Sequence, residues 1–145
     1  MSHRYPVIAI TGSSGAGTTT VKDTFNKIFT RENIAAAFIE GDAFHKYDRQ
    51  GMKDKDAEED AKGNQHFSHF SPEANELEIL ESVFEEYGRR GTGKTRNYVH
   101  DDKEAALFGA APGTFTDWKD LPASDLLFYE GLHGCVKTGN IDLRP

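Results

Sequence analysis

The stretch VIAITGSSGAGTTT, residues 7–20, constrains this chain more than any other. An apolar, β-branched run passes without a break into a loop holding Gly12, Gly15 and Gly17. Such a run reads as a buried strand of a parallel sheet. The loop must then turn tightly into a helix, because VKDTFNKIFTREN sets Val21, Phe25, Ile28 and Phe29 at helical spacing and Asn33 can end it. AAAFIEGD supplies a second strand that closes on Gly41 and Asp42. Strand, glycine loop, helix, strand is a βαβ unit, whose crossover should be right-handed and whose strands should be parallel.

Further along, DKDAEEDAKGNQ is charged and almost free of large apolar residues, which suits an exposed helix or an insertion with a solvated face. SPEANELEILESVFEEYGRRG is a clearer helix. Ser71 can cap it, Pro72 suits its first turn, and Glu73 and Glu76 favour its positive end. Leu77, Leu80, Val83, Phe84 and Tyr87 form its buried stripe, and Gly88 or Gly91 ends it. KTRNYVH reads as a short strand, FGAAPGTFTDWKDLPASD as loop, and DLLFYEG as a third strong strand ending in Glu130 and Gly131. The expected fold is α/β, a parallel sheet with flanking helices like that of the P-loop NTPases. Three parallel strands make a thin sheet, and after residue 136 no further helix–strand unit is expected. Residues 1–145 therefore read as a partial nucleotide-binding domain.

The loop carries the first chemistry. Gly12, Gly17, Thr18 and Thr19 fit the phosphate-loop spacing G-x-x-x-x-G-[KT]-[ST], with Ser13, Ser14, Gly15, Ala16 and Thr20 completing the segment. Phosphate oxygens crowd the backbone there, so glycines permit close approach while successive amides and the helix start supply positive potential. The Thr19 hydroxyl would reach a magnesium ion. The usual lysine is replaced by Thr18, so another cation has to cover the phosphates. Lys22, one helical turn on, is one candidate, and a lysine or arginine from elsewhere is another. The glycine order G-x-x-G-x-G does not meet the dinucleotide fingerprint.

Ligands of parallel sheets bind beyond the carboxyl ends of the strands, so the loop, Asp42 and Glu130 should open on one cleft. A carboxylate at Asp42 could take a proton from a substrate hydroxyl, and one at Glu130 could hold magnesium through water. A helix-capping aspartate and an ordinary strand-end glutamate remain the alternatives. His45, Arg49 and Lys53 fall at i, i+4, i+8, one helical face, and with Lys46 they form a basic cluster beside the cleft. In a chain of net charge −7 an anionic substrate explains such a cluster, although a solvated face balancing the acidic run would also account for it.

Composition narrows the field. The negative charge argues against general nucleic-acid binding, which needs a basic face. No run approaches the ~20 apolar residues of a membrane span, and no signal peptide is expected. The single cysteine, Cys135, allows no internal disulfide, suits a reducing compartment, and reads as a small buried residue. His66, His69, His100 and His133 lack zinc spacing.

Six blocks in order, GSSGAGTTTVKDTF, IEGDAFHKYDRQGMK, FSHFSPEANELEILESVFEEYG, RNYVHDD, APGTFTDW and LLFYEGLHG, resemble the bacterial type of phosphoribulokinase from about residue 6 to 136. The lysine-free loop is part of the resemblance. It implies ATP- and Mg2+-dependent phosphorylation of ribulose 5-phosphate at its 1-hydroxyl, in CO2 fixation. It implies Asp42 as catalytic base, Thr19 and Glu130 as metal and phosphate ligands, and His45, Arg49, Lys53, Tyr98 and His100 as substrate contacts. Arg31 matches a residue linked to allosteric activation by NADH. The resemblance also implies a cytoplasmic homo-oligomer without nucleic-acid or membrane partners and, since the loop has no cysteine, no thiol regulation. Members of that family are longer, with a second aspartate and lid cations in their later half, so this chain is expected to be a truncated, N-terminal part. A uridine-kinase-like enzyme for a neutral acceptor and a non-catalytic nucleotide-binding remnant stay open.

Overall fold

The computed structural model describes residues 4–13 and 15–144. β1 (Val7–Thr11) leads through the glycine loop into α1 (Thr18–Arg31), and β2 (Ala36–Glu40) follows. Gly17 adopts a left-handed conformation (φ 83°) as the residue before α1, which glycine reaches without steric cost. Asn33 takes the positive φ (56°) just after the helix, as its place in the sequence suggested. β5 (Leu126–Gly131) lies between β1 and β2, and both pairings are parallel. The sheet order β1-β5-β2 puts the most apolar strand at the centre, where both of its faces are covered.

The faces alternate along β5. Leu126 and Phe128 join Phe29 on one side, packed by Phe25, Ile8 and Ile10. Leu127 and Tyr129 join Ile39, Phe44 and the stripe of α3 (Leu77–Arg90) on the other. Phe25, Phe29, Phe38 and Phe128 form a ring cluster with centroids 5.4–6.4 Å apart. The predicted stripe of α1 is only half used: Phe25 and Phe29 pack inward, while Val21 and Ile28 are exposed, because three strands offer a face wide enough for one row of side chains.

α3 buries Leu77, Leu80, Val83, Phe84 and Tyr87 as expected and ends at Gly91 in a left-handed conformation. Its start differs from the reading above. Ser71 and Pro72 open a separate 3-10 turn, Pro72–Ala74, and extended Asn75 breaks the chain before α3. Ser71 makes no cap bond to that turn; its hydroxyl accepts from the Ser68 amide. A second 3-10 turn, Gly41–Phe44, follows β2 directly. α2 (Arg49–Ala61) carries the acidic run as an exposed helix, capped by Asp48, whose side chain accepts from the Gly51 amide.

β3 (Lys94–Thr95) and β4 (Lys119–Asp120) pair as a two-residue antiparallel ladder. Tyr98 and Phe115 add one bridge beyond it. Between them stands α4 (Asp102–Phe108), a helix in a stretch to which the sequence pattern assigns no element. β6 (Lys137–Thr138) and β7 (Ile141–Asp142) close the described chain as a hairpin. No helix of the described residues is long and apolar enough to cross a membrane.

Candidate active site

β1, β2 and β5 end at the same edge of the sheet, so the segments leaving them converge. The close approach of two of them depends on glycine. A Cβ on Gly131 would lie 2.5 Å from the Tyr129 hydroxyl and 2.9 Å from the Gly41 Cα, so neither strand end could carry a side chain there. Above this crossing opens a cleft of about 630 Å3. Gly12, Ser13, Gly15, Thr18 and Thr19 line one wall, with Glu130 at the floor. Ala16, Gly17 and Thr20 belong to the same turn and helix start without lining the cleft, and Ser14 lies outside the described residues.

On this wall the Thr18 hydroxyl donates to Glu130 Oε1 at 2.5 Å. The residue standing in the lysine position is thus joined to the strand-end carboxylate. Thr19 is exposed to the cleft beside it. Lys22 does not supply the missing cation: its ammonium sits 2.9 Å from Glu40 Oε1, away from the cleft lining. Desolvation lowers the Lys22 pKa, but the bond to Glu40 and nearby carboxylates outweigh it and raise the value.

The opposite wall centres on Asp42, in the 3-10 turn after β2. Both of its oxygens face histidines. His45 Nε2 lies 3.3 Å from Oδ1, and His100 Nε2 lies 2.8 Å from Oδ2. The contact with His45 acts first, burial opposes it and His100 adds to it, so the Asp42 carboxyl is held down at about 2. His100 in turn contacts Glu104 Oε2 through Nδ1 (2.9 Å) and its backbone amide (2.7 Å). Burial lowers the His100 pKa, yet Asp42 and Glu104 together raise it above 6.5. Tyr98 stands between the two rings, edge-on to His100 at 5.0 Å and to His45 at 6.2 Å.

Arg49 and Lys53 share the cleft-facing side of α2, as their spacing predicts, and Arg49 also donates to the His100 carbonyl at 2.9 Å. His45 does not share that helical face. α2 begins at Arg49, and His45 lies in extended chain before its cap, brought to the cleft by the turn at Asp42. Arg31 sits at the far end of α1, about 20 Å along the axis from the loop, with its guanidinium on Glu32 at 2.7 Å. Cys135, expected to be buried, is exposed.

Three residues of the site escaped the sequence reading. Arg96 donates to the carbonyls of Ala43 and His45, each at 2.8 Å, and lies over the rings of Phe115 (3.6 Å) and Trp118 (4.5 Å). It pins the Asp42 turn from below. Nothing in RNYVH signals this role, since the partners are backbone groups fifty residues away. Asn75 and Glu104 hold the two histidines from behind. Glu104 had a readable signal: Asp101 accepts from its amide at 2.9 Å, and D-x-x-E before an apolar pair is a capping pattern that also marks α4.

Comparison with known proteins bears on this geometry. A family model described as "Phosphoribulokinase / Uridine kinase family" matches residues 7–143. A phosphoribulokinase of Sinorhizobium medicae (strain WSM419) is 72% identical over 143 residues, covering 99% of this chain and 49% of the relative. Phosphoribulokinase 1 of Cereibacter sphaeroides is 58% identical over 144 residues, covering 99% and 50%. A solved phosphoribulokinase from Rhodobacter spheroides superimposes with a TM-score of 0.85 at 51% identity, over 97% of this chain and 47% of that one. A possible uridine kinase from Bacillus stearothermophilus shares the fold at 14% identity (TM-score 0.62, covering 94% and 66%). The chain spans about half the length of the phosphoribulokinases it matches.

Proposed function

The chain belongs to the phosphoribulokinase / uridine kinase family, and from that premise we propose that it forms the nucleotide-binding, acceptor-activating part of a kinase for ribulose 5-phosphate. The observation that carries the reading is Asp42: a carboxylate held ionised by two imidazoles, across one cleft from a phosphate-type loop and beside the cations of Arg49 and Lys53. A neutral acceptor would have no use for those two cations. The names of the relatives supply the sugar phosphate.

In this reading the acceptor's phosphate rests on Arg49 and Lys53, which turns its far hydroxyl toward Asp42. Asp42 takes the hydroxyl proton as the oxygen attacks. A base held at about 2 is weak, so proton uptake comes late, when the attacking oxygen is already bonding to phosphorus and its proton has become acidic. The loop amides and the start of α1 hold the ATP phosphates. Thr18, Thr19 and Glu130 present only oxygen donors to the cleft, which fits a hard cation such as Mg2+. When bound there, Mg2+ supplies the charge neutralisation that the loop, without a lysine, lacks. The assignments of the loop residues, of His45, Tyr98 and His100 as acceptor contacts, and of Arg31 as a control point for NADH belong to the same proposal. So do cytoplasmic location and self-association.

The test is ADP release by the purified chain with MgATP, with and without ribulose 5-phosphate, and with Asp42→Asn in parallel. Release that needs the sugar phosphate and disappears in the variant supports the proposal. Asp42→Asn turnover at the parental rate, or equal release with uridine as acceptor, overturns it.

A further inference from the structure

One glycine outside the phosphate loop meets the Asp42 wall through its nitrogen, its oxygen and its bare Cα. Gly113 is buried in the turn between α4 and β4, with φ 79°. Its amide donates to the Val99 carbonyl at 2.6 Å, and the Val99 amide donates to the Thr114 carbonyl at 2.9 Å. These bonds fix the stretch that carries Tyr98 and His100 against the turn. On its other side the Gly113 carbonyl accepts from the Arg49 amide at 2.9 Å. Arg49 is the first residue of α2, and the opening amides of a helix have no partner inside it, so this bond ties the helix start to the turn.

The Cα completes the contact. A Cβ on Gly113 would lie 2.8 Å from Arg49 Cβ, 3.2 Å from its Cδ and 3.1 Å from its Nε. The Arg49 stem therefore lies along the bare face of the glycine. Turning the side chain cannot relieve the first of these contacts, because the helix backbone fixes Cβ. A side chain at position 113 would have to push the first turn of α2 off its seat. From that seat Arg49 Nη2 reaches the His100 carbonyl at 2.9 Å. A guanidinium carries five N–H donors, and among the described residues this is the one side-chain bond Arg49 makes, which leaves donors for an anion in the cleft that Arg49 lines.

We propose that Gly113 is a positioning residue: its missing side chain seats the start of α2 and holds the Arg49 guanidinium at the acceptor end of the cleft before any ligand arrives. A mobile arginine gives up rotamers when it grips an anion, whereas one already laid along Gly113 and fixed on His100 gives up fewer. This gain in acceptor binding rests on the reading of Arg49 as the contact for the acceptor's phosphate; the seat itself does not.

The test uses the full 145-residue chain and has two parts. The first needs no ligand. It reads the nitrogen relaxation of the Arg49 Nε–Hε group, assigned through Arg49→Lys, and the proton cross-relaxation between the Arg49 Cδ protons and the Gly113 Cα protons. In the parent, Nε–Hε should be nearly as ordered as the α2 amides, with cross-peaks to Gly113. In Gly113→Ala and Gly113→Asn it should move as freely as that of exposed Arg89. Asparagine tolerates left-handed backbone yet still carries a Cβ, so it separates the missing side chain from the positive φ. A parent without the cross-peaks, or a Gly113→Asn chain whose Arg49 stays as ordered as the parent's, overturns the proposal. Should neither variant fold, the parental cross-peaks decide. The second part compares affinities for ribulose 5-phosphate and for a labelled ADP. Gly113→Asn should weaken the sugar phosphate about three- to tenfold and leave ADP near the parental level. Equal weakening of both would mean a general loosening of the fold and also overturns the proposal. A parent that binds no ribulose 5-phosphate counts against the proposed function alone, because the ligand-free spectra still decide the seat.

Discussion

The wall of the cleft formed by the phosphate loop offers backbone, hydroxyl groups and one glutamate; the wall around Asp42 offers two histidines and an arginine tied into a network, with Lys53 beside them. The loop wall is local. Its residues are neighbours in sequence, and among the described residues its long-range bonds are those from the Thr18 hydroxyl to Glu130 and from the Gly12 amide to the Gly131 carbonyl. The Asp42 wall is assembled from four separated stretches, around residues 42–53, 75, 96–104 and 113–115, and held by side-chain bonds both to backbone and to other side chains. Binding phosphate on amides requires little besides the right turn, since the donors are on the main chain. Orienting a base requires several side chains in fixed rotamers, each supported by a further group. Positive charge gathers where the acceptor would lie, and the loop wall is left cation-poor among the described residues.

The sharpest way to break this contrast is Asp42→Asn. It should lower sugar-phosphate-dependent ADP release about a hundred- to ten-thousand-fold while nucleotide binding, followed by fluorescence of a labelled ADP, stays near the parental level. Equal loss of nucleotide binding would mean that the two walls are not separable. Next in size is Gly131→Ala, at the crossing both walls stand on. The added Cβ would lie 2.5 Å from the hydroxyl of buried Tyr129, and the strain should cost roughly 1–3 kcal/mol in urea unfolding. An unchanged midpoint would show that the strand ends part easily.

Thr18→Val removes the one side-chain bond between the loop and Glu130 and should cost about 0.5–1.5 kcal/mol, with Thr18→Ser restoring it. Equal stability of Val and Ser variants would leave the loop wall without that tie. The smallest effect is a pH dependence at Asp42. Its pKa is depressed from 3.8 to about 2, so its contribution is present above pH 3.8 and fades as pH falls toward 2. His100 is raised above 6.5, so its contribution is complete below pH 6.5 and fades as pH climbs through the raised value. The pair therefore stabilises most between about pH 4 and 6.5. Asp42 and His100 side chains are 52% and 42% exposed, which keeps the gain below about 1 kcal/mol. Unfolding free energy measured from pH 5 to 9 should fall less in His100→Gln than in the parent; parallel curves would remove the pair from the stability balance.

Wherever structure follows from neighbours along the chain, the sequence was readable. β1, the glycine turn, α1, β2, the apolar stripe of α3 and β5 all lie where periodicity and turn residues put them. Errors arose where distant contacts override local pattern. His45 has helical spacing to Arg49 and Lys53, but Asp48 caps the helix after it. Ser71 and Pro72 look like a helix start, yet Asn75 is drawn into its bonds with His45, His69 and Ser71 and breaks the run. α4 was overlooked because seven residues are too few to show a period, although its cap was legible.

By itself the sequence determined that a strand must feed a glycine loop at a helix start, and that acidic residues end the second and third strong strands. Both facts follow from steric limits on the backbone and from side-chain alternation, which act over a few residues. Tertiary structure alone decided that the third strong strand lies between the other two, which brings Glu130 to the loop and leaves Asp42 across the cleft. It also decided which nitrogen of each histidine meets Asp42, because each ring is oriented by whatever acceptor stands behind its other nitrogen, and those acceptors, Asn75 and Glu104, arrive by packing.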